Sequence, residues 1–139
     1  MRLLLILCHR KKECLGFPTA GTQKALLLPL QKTIDDQTSV RVFSAPVFIT
    51  TKLEAFKNSG NGDGRTSSDF EDIVYVLENR EIIWEEMKAT SSQLKEYLRS
   101  EFTGLLQNPY CQEWIGANSD AYPPSSDYIM SEMRNVINQ

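Results

Sequence analysis

The spacing of hydrophobic positions changes along the chain, and these changes divide it into three parts. In Val40-Arg41-Val42-Phe43 the alternation is that of a strand with one buried face. Beyond Ser44-Ala45-Pro46 the period lengthens, and Ile49, Leu53 and Phe56 fall on one side of a helix. Pro46 marks the start of that helix, since an N–H missing from the first turn leaves no bond unmade, and Gly60 marks its stop. Asn61-Gly62-Asp63-Gly64 then predicts a tight loop. Ser68-Asp69-Phe70-Glu71 has the spacing of a capping box, in which a serine hydroxyl and a glutamate each satisfy a free N–H of the first turn. The stripe Phe70, Ile73, Val74 and Leu77 continues that second helix.

Residues 81–139 keep the helical period. Ile82, Ile83 and Met87 predict a short helix, and Leu94, Tyr97, Leu98, Phe102, Leu105 and Leu106 a longer one that ends before Pro109. Trp114 and Ile115 suggest a third, and Tyr128–Ile137 a last one after the Pro123-Pro124 break. Residues 1–39 have no steady period. The apolar run Leu3–Cys8, read as a buried strand, is followed by His9-Arg10-Lys11-Lys12, a turn at Gly16, Pro18 and Gly21, and Lys24–Leu30. The pattern predicts a single domain over residues 1–139 of α+β class. It comprises an N-terminal segment (1–39), a motif block (40–80) and a helical region (81–139).

Composition narrows the picture modestly. A chain of 139 residues with 41% hydrophobic and 24% charged residues is that of one globular domain rather than a disordered chain. A net charge of −3 does not suggest a nucleic-acid protein, although a small anionic substrate needs only a local basic patch. Cys8, Cys14 and Cys111 are odd in number and widely spaced, which fits a reducing compartment. Leu3–Cys8 is far too short to span a bilayer, which takes about 20 apolar residues. The expectation is a cytoplasmic protein without a membrane partner. His9 is the only histidine and lies beside no nucleophile pattern, which argues against triad hydrolysis. Cys8, His9 and Cys14 lack a fourth zinc ligand, and Asn61–Gly64 lacks the carboxylate series of a calcium loop.

The candidate chemistry lies in residues 50–72. On the first helix Lys52, Ala55 and Ser59 share a flank beside the buried stripe. The lysine stem is then packed and its ammonium delivered to the edge of the core, a way to hold a phosphate. On the second helix Asp69 and Asp72 stand one turn apart, a pair able to hold a metal, orient a lysine or act as a base. The loop adds Asn61, Asp63 and Arg65, with glycines that let backbone N–H groups approach an anion. Each has a plainer role too. Asp69 complements the helix dipole, and a lysine beside an apolar stripe is commonly a solvated one. Trp84 and Trp114 read as packing residues rather than base-stacking platforms.

Taken together, Ser44–Lys57, Gly60-Asn61-Gly62-Asp63 and Ser67–Ile73, extended by Val76–Arg80, resemble the nucleotidyltransferase-like family of AbiEii/AbiGii type, known from abortive-infection and toxin–antitoxin systems. The likeness continues more weakly to about Leu106. It implies a partial nucleotidyltransferase-like fold, with a small mixed sheet followed by a mainly helical C-terminal region. It also implies transfer of a nucleotidyl group from a nucleoside triphosphate with Mg²⁺ as cofactor. Lys52 would contact the triphosphate, with Asp63 and Arg65 beside it. Asp69 and Asp72 would complete the catalytic face. The acceptor would be a tRNA or a protein, and an antitoxin or a second copy would be the partner.

The chain departs from the family pattern in ways that bear on activity. Residues 1–39 hold no Gly-Ser turn followed by two close aspartates, the family's metal ligands, so the metal site is left unassigned. Ser59 stands where the family has arginine, and Ser68 where it has histidine. The expectation is a truncated or divergent member with an incomplete catalytic site and weak or no transfer. The alternatives are a fragment completed by a partner chain, or a non-catalytic interaction module presenting exposed parts of Trp84, Tyr97, Trp114 and Tyr122.

Overall fold

The computed structural model describes residues 30–36, 38–59 and 62–139. The expected strand at Leu3–Cys8, the Cys8/His9/Cys14 cluster and the glycine stop at Gly60 lie outside the described residues.

The chain enters the described region through a hairpin. Strands β1 (Leu30–Asp35) and β2 (Thr38–Val42) pair antiparallel, from Leu30 opposite Val42 to Thr33 opposite Ser39, with an irregularity between Thr33 and Asp35. The sheet is two-stranded and antiparallel among the described residues, where a mixed one was expected. β1 falls in the segment read as having no period, because Gln31, Lys32 and Thr33 interrupt any apolar alternation.

Six helices follow: α1 (Ala45–Asn58), α2 (Ser68–Asn79), α3 (Ile83–Lys88), α4 (Ser92–Gln107), α5 (Cys111–Asn118) and α6 (Ser126–Ile137). The protein is therefore α+β and predominantly helical. α1 begins at Ser44-Ala45-Pro46 as the sequence predicts. α2 does not begin in the predicted way. Its N-cap is Ser67, whose hydroxyl accepts the Phe70 N–H at 3.2 Å, and Ser68 is the first helical residue. The reciprocal Ser68/Glu71 capping box is replaced by this single cap, because the cap plus three position is then occupied by Phe70, which has no acceptor to return. Ser91 caps α4 in the same way through the Leu94 N–H.

The core is built from the predicted stripes. Ile49, Leu53 and Phe56 from α1 meet Phe70, Ile73, Val74 and Leu77 from α2, with Leu98 and Phe102 from α4 and Ile129 and Met133 from α6 completing it. Burying each large apolar side chain contributes about 1.5–3 kcal/mol relative to leaving it exposed. The Phe56, Phe70 and Trp114 rings form a closed aromatic cluster, with centroids 5.2, 5.9 and 5.8 Å apart in tilted and edge-on arrangements. Trp84 (4% exposed) and Trp114 (6%) are core residues, which removes both from any exposed partner surface. Tyr97 is half-buried, and only Tyr122 of the four aromatics considered for such a surface is fully exposed. No helix among the described residues is long and apolar enough to cross a membrane.

Candidate functional site

α1 and α2 pack face to face through their apolar stripes, and this packing sets the site. Lys52 precedes the buried Leu53, so its stem runs along the edge of the interface and its ammonium emerges against α2. There Nζ donates to Asp69 Oδ1 at 2.9 Å and pairs with Asp72 Oδ2 at 2.7 Å. The Phe48 ring lies under the same ammonium, 5.7 Å from Nζ to its centroid. The three charged side chains are half-buried to half-exposed: 25% for Lys52, 26% for Asp69 and 48% for Asp72. Burial works against the Lys52 ammonium, but hydrogen bonds and charge from Asp72 and Asp69 outweigh it and raise its pKa above the ordinary lysine value. Lys52 therefore stays charged at neutral pH, enclosed by more negative charge than it carries.

Lys52, Asp69 and Asp72 are thus brought together, in the lysine-orienting arrangement among those open to a carboxylate pair. Asp69 also sits in the first turn of α2, so its dipole role and its ion pair coexist.

Asp63 and Arg65 form a separate group. The Asp63 carboxylate accepts the Arg65 backbone N–H at 3.0 Å and takes the guanidinium bidentately, Nε at 3.0 Å and Nη2 at 2.9 Å. Arg65 Nη1 reaches on to Glu113 of α5 at 3.0 Å. These bonds raise the Arg65 pKa and hold the Asp63 carboxyl below the usual range. The loop is anchored from beneath, since Asn118 Nδ2 donates to the Gly64 carbonyl at 2.8 Å and Gly64 lies against the Trp114 ring. Gly62 takes a positive φ of 60°, which glycine adopts without strain. Among the described residues, no hydrogen bond or ion pair links Asp63 or Arg65 to Lys52. Ser59 turns its hydroxyl back to the Phe56 carbonyl at 2.8 Å and closes α1.

Two further polar networks were not expected from the sequence. In the first, the Tyr97 hydroxyl of α4 donates to Glu54 of α1, and Lys57 bridges Glu54 at 3.0 Å and Glu101 at 2.8 Å. Lys57 also lies over the Tyr97 ring at 5.6 Å. Burial, followed by the Glu54 bond, pushes the Tyr97 phenol well above its ordinary range, so it remains a donor. In the second, Glu78 near the end of α2 accepts the hydroxyls of Ser119 and Ser125, the latter at 2.6 Å, and the Asp120 N–H at 3.1 Å. One carboxylate thereby fastens the whole α5–α6 connection to α2. The spacing of Glu54 and Lys57 hints at a helical pair, but neither Glu101 nor the donors to Glu78 could be found from local pattern.

The described residues hold no group of three or more His, Cys, Asp or Glu placed to bind a metal. Asp69 and Asp72 are nonetheless the hard oxygen donors that Mg²⁺ takes when it shares its coordination with phosphates and water, and their two oxygens converge on one point at Lys52 Nζ. In that mode the ion would neutralise phosphate charge. Comparison of the chain with protein-family models, with curated proteins and with solved structures finds no match.

Proposed function

We propose that this protein binds a nucleoside triphosphate, accompanied by Mg²⁺, at Lys52, Asp69 and Asp72, as a nucleotidyltransferase-like protein of AbiEii/AbiGii type with weak or no nucleotidyl transfer. The observation that carries the reading is the Lys52 ammonium held between two carboxylates at 2.9 and 2.7 Å on the edge of the α1–α2 interface. A lysine so placed is charged and pre-oriented, and a Mg²⁺ taken by Asp69 and Asp72 would release its ammonium to a phosphate. Phosphoryl-type transfer depends chiefly on positioning and on neutralising developing charge, so such a lysine supplies one half of what the reaction needs. Ser59 and Ser68, standing where the family carries arginine and histidine, remove cationic companions and support weak or absent transfer. A tRNA or protein acceptor and an antitoxin or self-association partner belong to the same reading.

Calorimetric titration with ATP, GTP, CTP and UTP in the presence of Mg²⁺ tests it. At least one nucleotide is expected to bind, with affinity reduced about tenfold or more by Lys52→Ala. Equal binding by Lys52→Ala, or no binding of any of the four, contradicts the reading. Incubation with labelled triphosphates and tRNA or protein acceptors measures transfer itself. Robust labelling abolished by Lys52→Ala would show a complete enzyme.

A second reading is a non-catalytic interaction module, or a fragment completed by a partner chain. One observation favours it: Tyr110 at the N-cap of α5, Tyr122 in the α5–α6 connection and Tyr128 in the first turn of α6 all stand exposed.

A further inference from the structure

Three of the four large hydrophobic side chains that stand exposed among the described residues are Tyr110 (56%), at the N-cap of α5, Tyr122 (100%), in the α5–α6 connection, and Tyr128 (55%), in the first turn of α6. Gln112 in the first turn of α5 donates to Asp127 in the first turn of α6 at 2.8 Å. That bond brings Tyr110, two residues before Gln112, and Tyr128, next to Asp127, to the same end of the helix pair. Tyr122 lies midway along the α5–α6 connection, which enters α6 at the end that carries Tyr128.

The connection is not a slack loop. Ser119 Oγ accepts the backbone N–H groups of Ala121 at 3.3 Å and Ser125 at 3.4 Å, so the segment closes on itself. Glu78 binds it from below through Ser119, Ser125 and the Asp120 N–H. Pro124 lies over α5, its Cβ 4.0 Å from where a Cβ on Gly116 would stand. A tyrosine held fully exposed on a frame fastened at this many points has little backbone freedom left to lose on binding. Pre-organised tyrosines give large contact area at low entropic cost and are recurrent anchors of protein interfaces.

Among the described residues, carboxylates predominate around these rings. From residue 100 to residue 133 the chain contains Glu101, Glu113, Asp120, Asp127 and Glu132 and no lysine, arginine or histidine. Glu101 and Glu113 are neutralised by Lys57 and Arg65, whereas no ion pair among the described residues neutralises Asp120 or Asp127, both exposed beside the tyrosines. Arg134, the next basic residue along the chain, acts on the buried Cys111 beside Tyr110, so the acidic character is centred on Asp120 and Asp127. Tyrosine rings with carboxylates between them complement a guanidinium, which stacks on the ring and takes the carboxylate in a fork; a nucleic acid would be repelled.

We propose that the Tyr110/Tyr122/Tyr128 face, with Asp120 and Asp127, is a docking surface for an arginine-rich segment of a partner protein. It is separate from the Lys52 site and independent of nucleotide binding, so either can fail alone.

Fluorescence anisotropy of a labelled peptide of alternating arginine and glycine, titrated with the full chain, tests the surface. Binding is expected, weaker for the lysine–glycine analogue. Tyr122→Ala combined with Tyr128→Ala should lower affinity about tenfold or more. Both rings are exposed, so unchanged circular dichroism and melting should accompany the loss. Asp120→Asn should weaken binding, whereas Glu85→Gln, the same charge change at a carboxylate 75% exposed on α3, should not. Equal loss in Asp120→Asn and Glu85→Gln would reduce the effect to diffuse charge and overturn the proposal. So would an unchanged tyrosine double variant, or displacement of the peptide by polyuridylate. A concentration-dependent dimer dispersed by Tyr122→Ala would assign the face to a second copy of the chain and overturn it equally.

Discussion

Gly64 lies against the indole of Trp114 so closely that a Cβ added to it would fall 2.7 Å from Trp114 Cδ2. The contact fixes the α1–α2 loop on α5, and that loop leads directly into the Ser67 cap and Asp69. Trp114 is itself wedged edge-on against Phe56 and Phe70, so the indole has no room to yield. Gly64→Ala should destabilise the protein by about 1–3 kcal/mol, as overpacking does in a well-filled core. Gly62→Ala meets open space and should cost only about 1 kcal/mol, from its positive φ. Urea unfolding of the two variants separates the effects.

The cap of α2 gives a second prediction. Ser67→Ala removes the acceptor of the Phe70 N–H and should cost about 1 kcal/mol. Ser68→Ala, at the first helical position, should be close to neutral. Thermal unfolding of both variants decides between this cap and a capping box built on Ser68.

How far the sequence reveals the fold shows in these elements. The stripes Ile49/Leu53/Phe56 and Phe70/Ile73/Val74/Leu77 are legible because burial of a helix face imposes a period on the chain itself. The cap slipped by one residue because Ser67 and Ser68 are adjacent and Glu71 favours the wrong one by spacing. β1 escaped because its residues are largely polar, and pairing with β2 rather than a hydrophobic pattern makes it a strand. At the site, Lys52 and the Asp69/Asp72 pair are legible as flanks of two stripes that must face each other. The self-pairing of Asp63 with Arg65, and the convergence of Ser119, Asp120 and Ser125 on Glu78, depend on tertiary placement that no local spacing encodes.

Glu78 supplies a pH prediction. Burial would raise its pKa above the ordinary 4.5, but the Ser119 and Ser125 hydroxyls and the Asp120 and Ala121 N–H groups outweigh burial and lower it. A carboxylate with a depressed folded-state pKa contributes stability that is fully present above its unfolded value and is lost as pH falls through the folded one. Stability should therefore decline as pH drops below 4.5, and Glu78→Gln should flatten that decline. At neutral pH the same variant should be less stable by about 1–3 kcal/mol, through bonds weakened at a partly buried site. Denaturant midpoints measured across the acid range test both statements.

Lys52→Met should separate folding from function. The ion triad is partly solvated, with side-chain exposures from 25% to 48%, and pairs of this kind contribute about 0–1 kcal/mol. The loss of stability should be correspondingly small, while nucleotide binding falls about tenfold or more. A large drop in melting temperature would mean that the lysine serves the α1–α2 interface instead.

The most direct measurement is the side-chain ammonium resonance of Lys52, followed by nuclear magnetic resonance as a non-hydrolysable nucleoside triphosphate and Mg²⁺ are added to the full chain. If Lys52 holds the triphosphate, its signal shifts with a saturable dependence on nucleotide, while those of Lys88 and Lys95 stay in place. A Lys52 signal that does not move, or one that moves only in step with these other lysines, would contradict the account.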